Sequence, residues 1–422
     1  MSAVEDLAKK FTDPVVDRSL AQEKLDLKRR ARTSLFPWRG QFSPELVELL
    51  LGDLSSNGII VDPFVGSGTT LFECARTGID AFGAEINPAA LSFAAFSEVI
   101  SQPKIDRTSA SDKALLVLNR HSPSPIGGLF KTHEELPQLE GIHAAKAVLD
   151  DLGDTYAAKV FRAALLLAMG NRPSVDVQRV RAKLYWLRQL LVDLPETLGF
   201  SRVVAADARR LPLKDSVASG VITSPPYINV FNYHQQYRPA VELLGAGALS
   251  VARAEIGANR KHRQNRFLTV VQYGLDMEDV IREIHRVLMA GCTAKIVVGR
   301  ESNVRGVPFR NGRLLAAIAE GSGRFLMERW QERKFTTRFG AHIYEDILTM
   351  RRASRPRITT GFSARAAAVW ELGHACERTL DDDVRADLEL AIAVSGTVQP
   401  SPLFDPTAVP WMNGSVAVTA TR

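Results

Sequence analysis

Residues 58–85 constrain the chain more than any other stretch. Gly58-Ile-Ile-Val-Asp62 is a short apolar run that reads as a buried strand. It ends in Pro63-Phe-Val-Gly-Ser-Gly-Thr-Thr70, a helix is expected through Arg76, and a second strand, Asp80–Ala84, ends at Glu85. A strand, a glycine loop, a helix and a strand closing on an acid form the opening unit of a nucleotide-binding α/β sheet. Two later strands end the same way. Val203–Ala206 runs into Asp207, and Gly220–Thr223 runs into Ser224-Pro-Pro-Tyr227. Open α/β sheets bind ligands beyond the C-terminal ends of their strands. Four special segments at four strand ends therefore converge on one cleft of a doubly wound, mostly parallel sheet.

The residue types say what the cleft can hold. Gly66 and Gly68 allow a ligand to approach the backbone closely, and the following helix start offers free N–H groups. Thr69 and Thr70 add hydroxyls. Glu85 stands where an acid binds ribose hydroxyls in dinucleotide folds, which keeps a nicotinamide enzyme in contention on these residues alone. The loop is not the usual G-x-G-x-x-G, since Thr70 and Leu71 follow Gly68. Thr223-Ser-Pro-Pro-Tyr227 turns the reading. Two prolines fix the backbone and remove two donors, which leaves carbonyls to face a cleft beside an aromatic ring. That arrangement suits a flipped-out base stacked on Tyr227, its amino group held by Ser224 Oγ and the Pro225 carbonyl.

Asp62–Thr70 (DPFVGSGTT) and Thr223–Tyr227 (TSPPY) resemble the cofactor and catalytic motifs of the amino-methyltransferases that modify cytosine N4 or adenine N6 in DNA. Phe36–Pro44 is similar to a variant of the segment that closes over the methionine end of the cofactor in that family, with Arg39 and Gln41 in place of its commoner lysine-containing form. Ile228–Arg238 resembles the family's segment immediately after TSPPY. The resemblance covers residues 36–96 and 200–350. It implies a seven-stranded class I methyltransferase sheet holding S-adenosylmethionine. Gln41, Phe42, Asp62, Phe64, Gly66, Gly68, Thr69, Thr70, Glu85 and Asp207 would form the cofactor site, with Glu85 on the ribose and Asp207 near the adenine. Ser224, Pro225, Pro226 and Tyr227 would hold the base. The implied reaction is direct methyl transfer to the N4 of a flipped-out cytosine. N6-adenine methylation of DNA, methylation of RNA, and a catalytically silent DNA-binding protein are the alternatives. The cofactor motif precedes the catalytic motif, the reverse of many N4-type relatives.

The rest of the chain is read around this unit. Residues 1–35 are expected to be a basic helical segment, with a helix over 14–34 carrying Lys24, Lys28, Arg29, Arg30 and Arg32. Residues 36–96 and 201–350 form the methyltransferase domain. Residues 97–200 form a helical insert, the candidate target-recognition region, with Asn171, Arg172, Arg179, Arg181 and Lys183 as its contributors. Residues 351–422 form a helical extension and an irregular, proline-containing tail. Residues 228–270 read as irregular and basic. There Arg253, Arg260, Lys261, Arg263 and Arg266 are candidate phosphate contacts, against the plain alternative of a solvated loop. The net charge of +6 is compatible with a polyanionic partner. DNA is the expected partner, together with a cognate restriction endonuclease. No apolar run is long enough to span a bilayer and no export signal is visible, so a cytoplasmic protein is expected. The cysteines, Cys74, Cys292 and Cys376, have no metal-ligand spacing, so no metal is expected. None follows a proline, which argues against the cysteine-dependent methylation of cytosine carbon 5.

Overall fold

Short apolar runs bounded by turn residues form the centre of the molecule. The computed structural model describes residues 3–27, 34–54, 58–122, 138–194, 199–229, 232–258, 262–336 and 340–412. Its strands are β1 (Ile59–Asp62), β2 (Ala81–Glu85), β3 (Ser201–Ala205), β4 (Ala218–Thr223), β5 (Leu288–Gly299), β6 (Glu301–Val304), β7 (Val307–Arg310), β8 (Phe325–Thr336) and β9 (His342–Arg352). Seven of them make one sheet in the order β3-β2-β1-β4-β5-β9-β8, and β6 and β7 form a separate hairpin. β1 to β5 pair in parallel, while β9 is antiparallel to both β5 and β8. The strand order reverses direction between β1 and β4, which opens the crevice at their C-terminal ends. Helices cover both faces, so every residue of β4 is buried.

The expected doubly wound sheet is the observed one, with local differences. The strand expected at Ala294–Gly299 starts at Leu288, which pairs with Ala218 at the start of β4 before the register shifts to Gly220 and Thr293. The helix expected from Leu275 begins at Leu268. Residues 228–270 are not irregular throughout: a 3₁₀ turn (Tyr233–Gln235) and the helices Arg238–Leu243 and Ala248–Ala254 lie within them. The single helix expected over 14–34 is replaced by Ala3–Lys10 and a short helix, Gln22–Asp26. Lys28, Arg29, Arg30 and Arg32 lie outside the described residues. A tertiary demand explains the change. β8 is an edge strand whose backbone groups need partners. Asp17 N donates to the Trp330 carbonyl at 2.7 Å, Gln22 Nε2 to the Glu332 carbonyl at 2.7 Å, and Lys334 N to Asp26 Oδ1 at 2.8 Å. The chain around Val16 and Asp17 is thus drawn out along the sheet edge, and the helix Gln22–Asp26 is tied beside it.

In the insert, the helices Lys104–His121, Gln138–Leu152, Tyr156–Met169 and Val177–Asp193 share an apolar core with Phe36, Phe93 and Phe96, so the insert packs onto the sheet's own helices. Arg107 is fully buried and donates to the carbonyls of Leu191, Leu194 and Ile100, which satisfies the end of the Val177–Asp193 helix. Among the described residues no helix is long and apolar enough to cross a membrane.

The segment after Thr397 docks firmly. Arg209 is the hub. It donates to both Asp207 oxygens at 2.8 and 2.7 Å, to Asp276 Oδ1 at 2.9 Å, and to the carbonyls of Ser401 and Pro402 at 2.6 and 2.8 Å. Ser401 Oγ donates to Asp276 Oδ2 at 2.6 Å, and Phe404 N donates to Asp207 Oδ2 at 2.9 Å. Burial alone would raise Asp207, but the Arg209 bonds outweigh it and hold the carboxyl below its ordinary value. Removing one member of such a network strands buried charge. Arg209→Met is expected to cost about 3–5 kcal/mol and to release residues 398–404. Urea unfolding and protease cleavage within that segment measure the two effects, and unchanged values of both would reject the strap.

Candidate active site

The glycine loop follows β1 directly. Gly66 and Gly68 have φ of +53° and +98°. A Cβ on Gly68 would sit 2.9 Å from Ala94 Cα, so both space and conformation require glycine there. Beneath the loop lies Asp62, which is buried. Its Oδ1 accepts from Phe64 N at 3.1 Å and Thr223 Oγ1 at 2.6 Å, and its Oδ2 from Thr70 Oγ1 at 2.6 Å. Burial raises the carboxyl to about 6, and the three hydrogen bonds hold it from rising further. Thr223 is the last residue of β4 and precedes Ser224. One carboxylate therefore ties the glycine loop to the Ser-Pro-Pro-Tyr loop.

Glu85 closes the far side. Its Oε1 accepts from Ile86 N and Asn87 N, both at 2.8 Å, and its Oε2 from Gly66 N at 3.0 Å. A carboxylate has roughly four acceptor positions. The backbone fills three, and one on Oε2 faces the crevice. Burial raises this carboxyl to about 7, against the pull of those N–H groups.

Of the expected residues, Gln41, Phe42, Phe64, Gly66, Thr69, Glu85, Asp207, Ser224 and Pro226 line one crevice. Asp62, Gly68, Thr70, Pro225 and Tyr227 do not line it. The Tyr227 ring lies against Gly299, where a Cβ would be 2.8 Å from it, and its hydroxyl donates to Glu345 Oε1 at 3.3 Å. Burial, and after it the Glu345 carboxylate, push this phenol well above its ordinary value, so it stays a donor. Neighbouring bonds pin the loop: Asn229 N donates to the Gly257 carbonyl at 3.0 Å, and Arg266 Nη2 donates to Asn229 Oδ1 at 2.6 Å. Arg266 is thus engaged beside the loop. Arg253 and Arg263 are exposed, and Arg260 and Lys261 lie outside the described residues. In the insert, Arg181 is buried on Asn119, Gln178 and the Ser122 carbonyl, and Arg179 pairs with Asp176. Asn171 Oδ1 accepts from Tyr237 N at 2.7 Å, Lys183 lies over the Trp186 ring, and Arg172 is exposed.

Several lining residues are not singled out individually by the sequence, although Trp38 lies in the Phe36–Pro44 segment and Tyr233 in Ile228–Arg238. Trp38 stacks on Tyr233 and Tyr237 and roofs Gly66. Glu255 reaches the crevice and holds buried His234 through its ring Nδ1 at 2.7 Å and its backbone N at 2.6 Å. For Trp38 the signal was the Phe36–Pro44 segment; for Tyr233, His234 and Glu255 it was an aromatic and acidic scatter in a region that reads as irregular.

A second compartment adjoins the first and shares Gly40, Gln41, Phe42 and Ser224 with it. Its other walls are residues 34–37, Ser43 and Pro44 on one side and Arg333, Phe335 and Glu345 of β8 and β9 on the other. The first compartment is bordered by Glu85, Asp207 and Glu255 with one cation, Arg39, so it suits a ligand bearing positive charge and hydroxyls. Its glycine cradle and apolar walls fit S-adenosylmethionine. Among the described residues no cluster of His, Cys, Asp or Glu is placed to hold a metal.

The sheet order and crevice are those of a class I S-adenosylmethionine-dependent methyltransferase. Residues 15–96 match the family described as DNA methylase, of the N6/N4 type. A stretch of 76 residues is 42% identical to the type II methyltransferase M.MjaII of Methanocaldococcus jannaschii, covering 17% of this chain and 14% of that protein. Both matches support a relationship to the DNA amino-methyltransferase family over that part of the chain, which spans only a small share of the relative's length. Among solved structures it is similar to a SAM-dependent methyltransferase from Methanosarcina mazei (TM-score 0.34, 13% identity, 73% of this chain and 98% of that one). It is also similar to TrmN from Thermus thermophilus (TM-score 0.31, 14% identity, 75% and 50%).

The two buried carboxyls can be tested separately. Asp62→Asn can keep all three hydrogen bonds, since the Thr70 hydroxyl can turn to accept. Asp62→Ala leaves three buried donors unmatched, at about 1–3 kcal/mol each. Denaturant unfolding should separate the two variants by several kcal/mol, and equal stabilities would refute the clamp. For Glu85, the folded value of about 7 exceeds the ordinary 4.5, so ionisation in the crevice opposes folding, and its contribution to stability falls as pH rises through 7. A cationic, hydroxyl-bearing ligand favours the ionised form. Affinity for S-adenosylmethionine should therefore rise with pH up to about 7, by at most roughly tenfold per unit. Calorimetry between pH 5.5 and 8 should show this in the wild type and a flat profile in Glu85→Gln.

Proposed function

We propose that this protein is a DNA methyltransferase that acts on the exocyclic N4 of a flipped-out cytosine by direct transfer. The observation that carries the reading is Ser224, which stands in the wall of both compartments. One compartment fits the methyl donor, and the other is wide enough for a base and opens beside it. S-adenosylmethionine, when bound, supplies an electrophilic methyl group.

The chain's own residues prepare the nucleophile. The amino nitrogen of cytosine is a weak one because its lone pair is delocalised into the ring. Ser224 Oγ, in the wall of both compartments, accepts one of its hydrogens and favours a pyramidal nitrogen; the family resemblance adds the carbonyl of Pro225, which lines neither compartment. Asp62 holds Thr223, and so Ser224, in fixed register with the glycine loop. Most of the acceleration would come from that positioning and from electrostatics at the developing charge. None of the three cysteines lines either compartment, which supports amino rather than carbon-5 chemistry. Arg253, Arg260, Lys261, Arg263 and Arg266 are proposed to follow the phosphates of the target strand, and residues 97–200 to read its sequence. DNA is the proposed partner, and the type II relative extends the expectation to a cognate endonuclease.

The test is to treat duplex DNA with the protein and a labelled methyl donor, digest it and separate the nucleosides. N4-methylcytosine is the expected product. Ser224→Ala should lower kcat by about 10²–10³ while sparing cofactor affinity. Label in N6-methyladenine alone would replace the base and keep the enzyme class. Label in 5-methylcytosine would refute the mechanism, and label in RNA alone would replace the polymer.

A further inference from the structure

The second compartment contains a charged pair that the reaction as described does not use. Arg333 of β8 and Glu345 of β9 are directly opposed in the antiparallel ladder. Arg333 Nη1 lies 3.5 Å from Glu345 Oε2, and the side chains are 3% and 14% exposed. The guanidinium also lies over the Phe335 ring, 4.9 Å from its centroid. Glu345 Oε1 accepts from the Tyr227 hydroxyl at 3.3 Å. Arg333, Phe335, Glu345 and Ser224 all face the same space. A buried ion pair is weak support for stability, because desolvation offsets most of its attraction. Here the pair also borders an open compartment, on the side where a base held at Ser224 would present its remaining edge.

The geometry points to Arg333 as the residue that selects the base, reading the N3 and O2 acceptors of the flipped cytosine, with Glu345 as the positioning residue that aims it. This rests on the amino-methyltransferase reading above. Cytosine presents an amino group, then N3, then O2 along one edge. Adenine presents an amino group, then N1, then a C–H. A guanidinium is a planar fork of donors that cannot lose its charge. Two of its N–H groups match N3 and O2 together, as they match the two oxygens of a carboxylate. Against adenine, one of them would face carbon inside a buried compartment. Phe335 offers a flat apolar wall beside the fork. Glu345, held by Tyr227 on one oxygen, fixes the guanidinium through the other, and this links the reading residue to the Ser-Pro-Pro-Tyr loop.

The experiment uses the full chain and a duplex containing its methylated site, mapped first on treated genomic DNA. The target cytosine is replaced by a 2-aminopyridine C-nucleoside, which keeps the amino group and ring nitrogen and lacks O2. Wild-type kcat/KM should fall about 5–150-fold on the analogue, the range of one lost base-edge contact. Arg333→Met should lose a similar factor on cytosine, show little further loss on the analogue, and keep wild-type affinity for S-adenosylmethionine. Glu345→Gln should weaken the discrimination without abolishing it. If Arg333→Met does not fold, the wild-type comparison of cytosine with the analogue decides alone. Equal wild-type rates on the two bases, or undiminished discrimination in Arg333→Met, would overturn the assignment. Label only in N6-methyladenine would overturn it while leaving an amino-methyltransferase. No label in DNA would remove the reading on which it rests.

Discussion

The carboxylate of Asp62 is the point on which the site depends. It sits where the sheet changes direction, and it accepts from a residue of the glycine loop, from the helix after it and from the end of β4. A buried carboxylate is expensive to desolvate unless hydrogen bonds compensate it. In return it couples two segments more than 150 positions apart in the chain. A shift of the glycine loop is therefore a shift of Ser224. Positioning to within a fraction of an ångström is what direct transfer demands. Here it is held inside the core, where packing leaves few alternatives.

Charge is divided by place. The overall balance is basic, yet the first compartment is bordered mostly by acids, and desolvation pushes its half-buried residues Glu85 and Tyr233 above their ordinary values. An acidic interior repels a polyanion and accepts a cationic, sugar-bearing ligand. The second compartment carries the guanidinium of Arg333 and opens beside Ser224. Two neighbouring spaces thus meet at Ser224, one bordered mostly by carboxylates and the other by the Arg333–Glu345 pair.

How much of this was legible in the sequence depends on how local each feature is. Gly66, Gly68, Glu85 and Ser224 each end a strand or open a loop, so short motifs located them and the sheet order brought them together. Arg333 and Glu345 alternate with other charged residues along two strands, and only their pairing and the segment at 34–44 turn them toward Ser224. Nothing in a period-two pattern marks which face will be enclosed. The segment at 14–26 read as helix because charges at helical spacing outweigh other signals locally. The open edge of β8 set its conformation instead. Asp207 was legible as an acid at a strand end. Its capture by Arg209 and the Phe404 amide was not, because those partners meet only in the folded chain.

That capture bears on when the site comes into being. Phe404 lies 197 positions beyond Asp207. At synthesis rates of roughly 5–20 residues per second, Asp207 leaves the ribosome about 10–40 seconds before the segment that secures the crevice wall, and the glycine loop and Glu85 leave earlier still. Through that interval Arg209 and Asp276 have no Ser401 to bind, and Asp207 lacks the Phe404 amide. A nascent chain would thus have β1 to β4 early, and β8, β9 and the segment that holds Asp207 late. The wall that carries Asp207 is completed last, once β9 has joined the sheet and the chain has turned back to it.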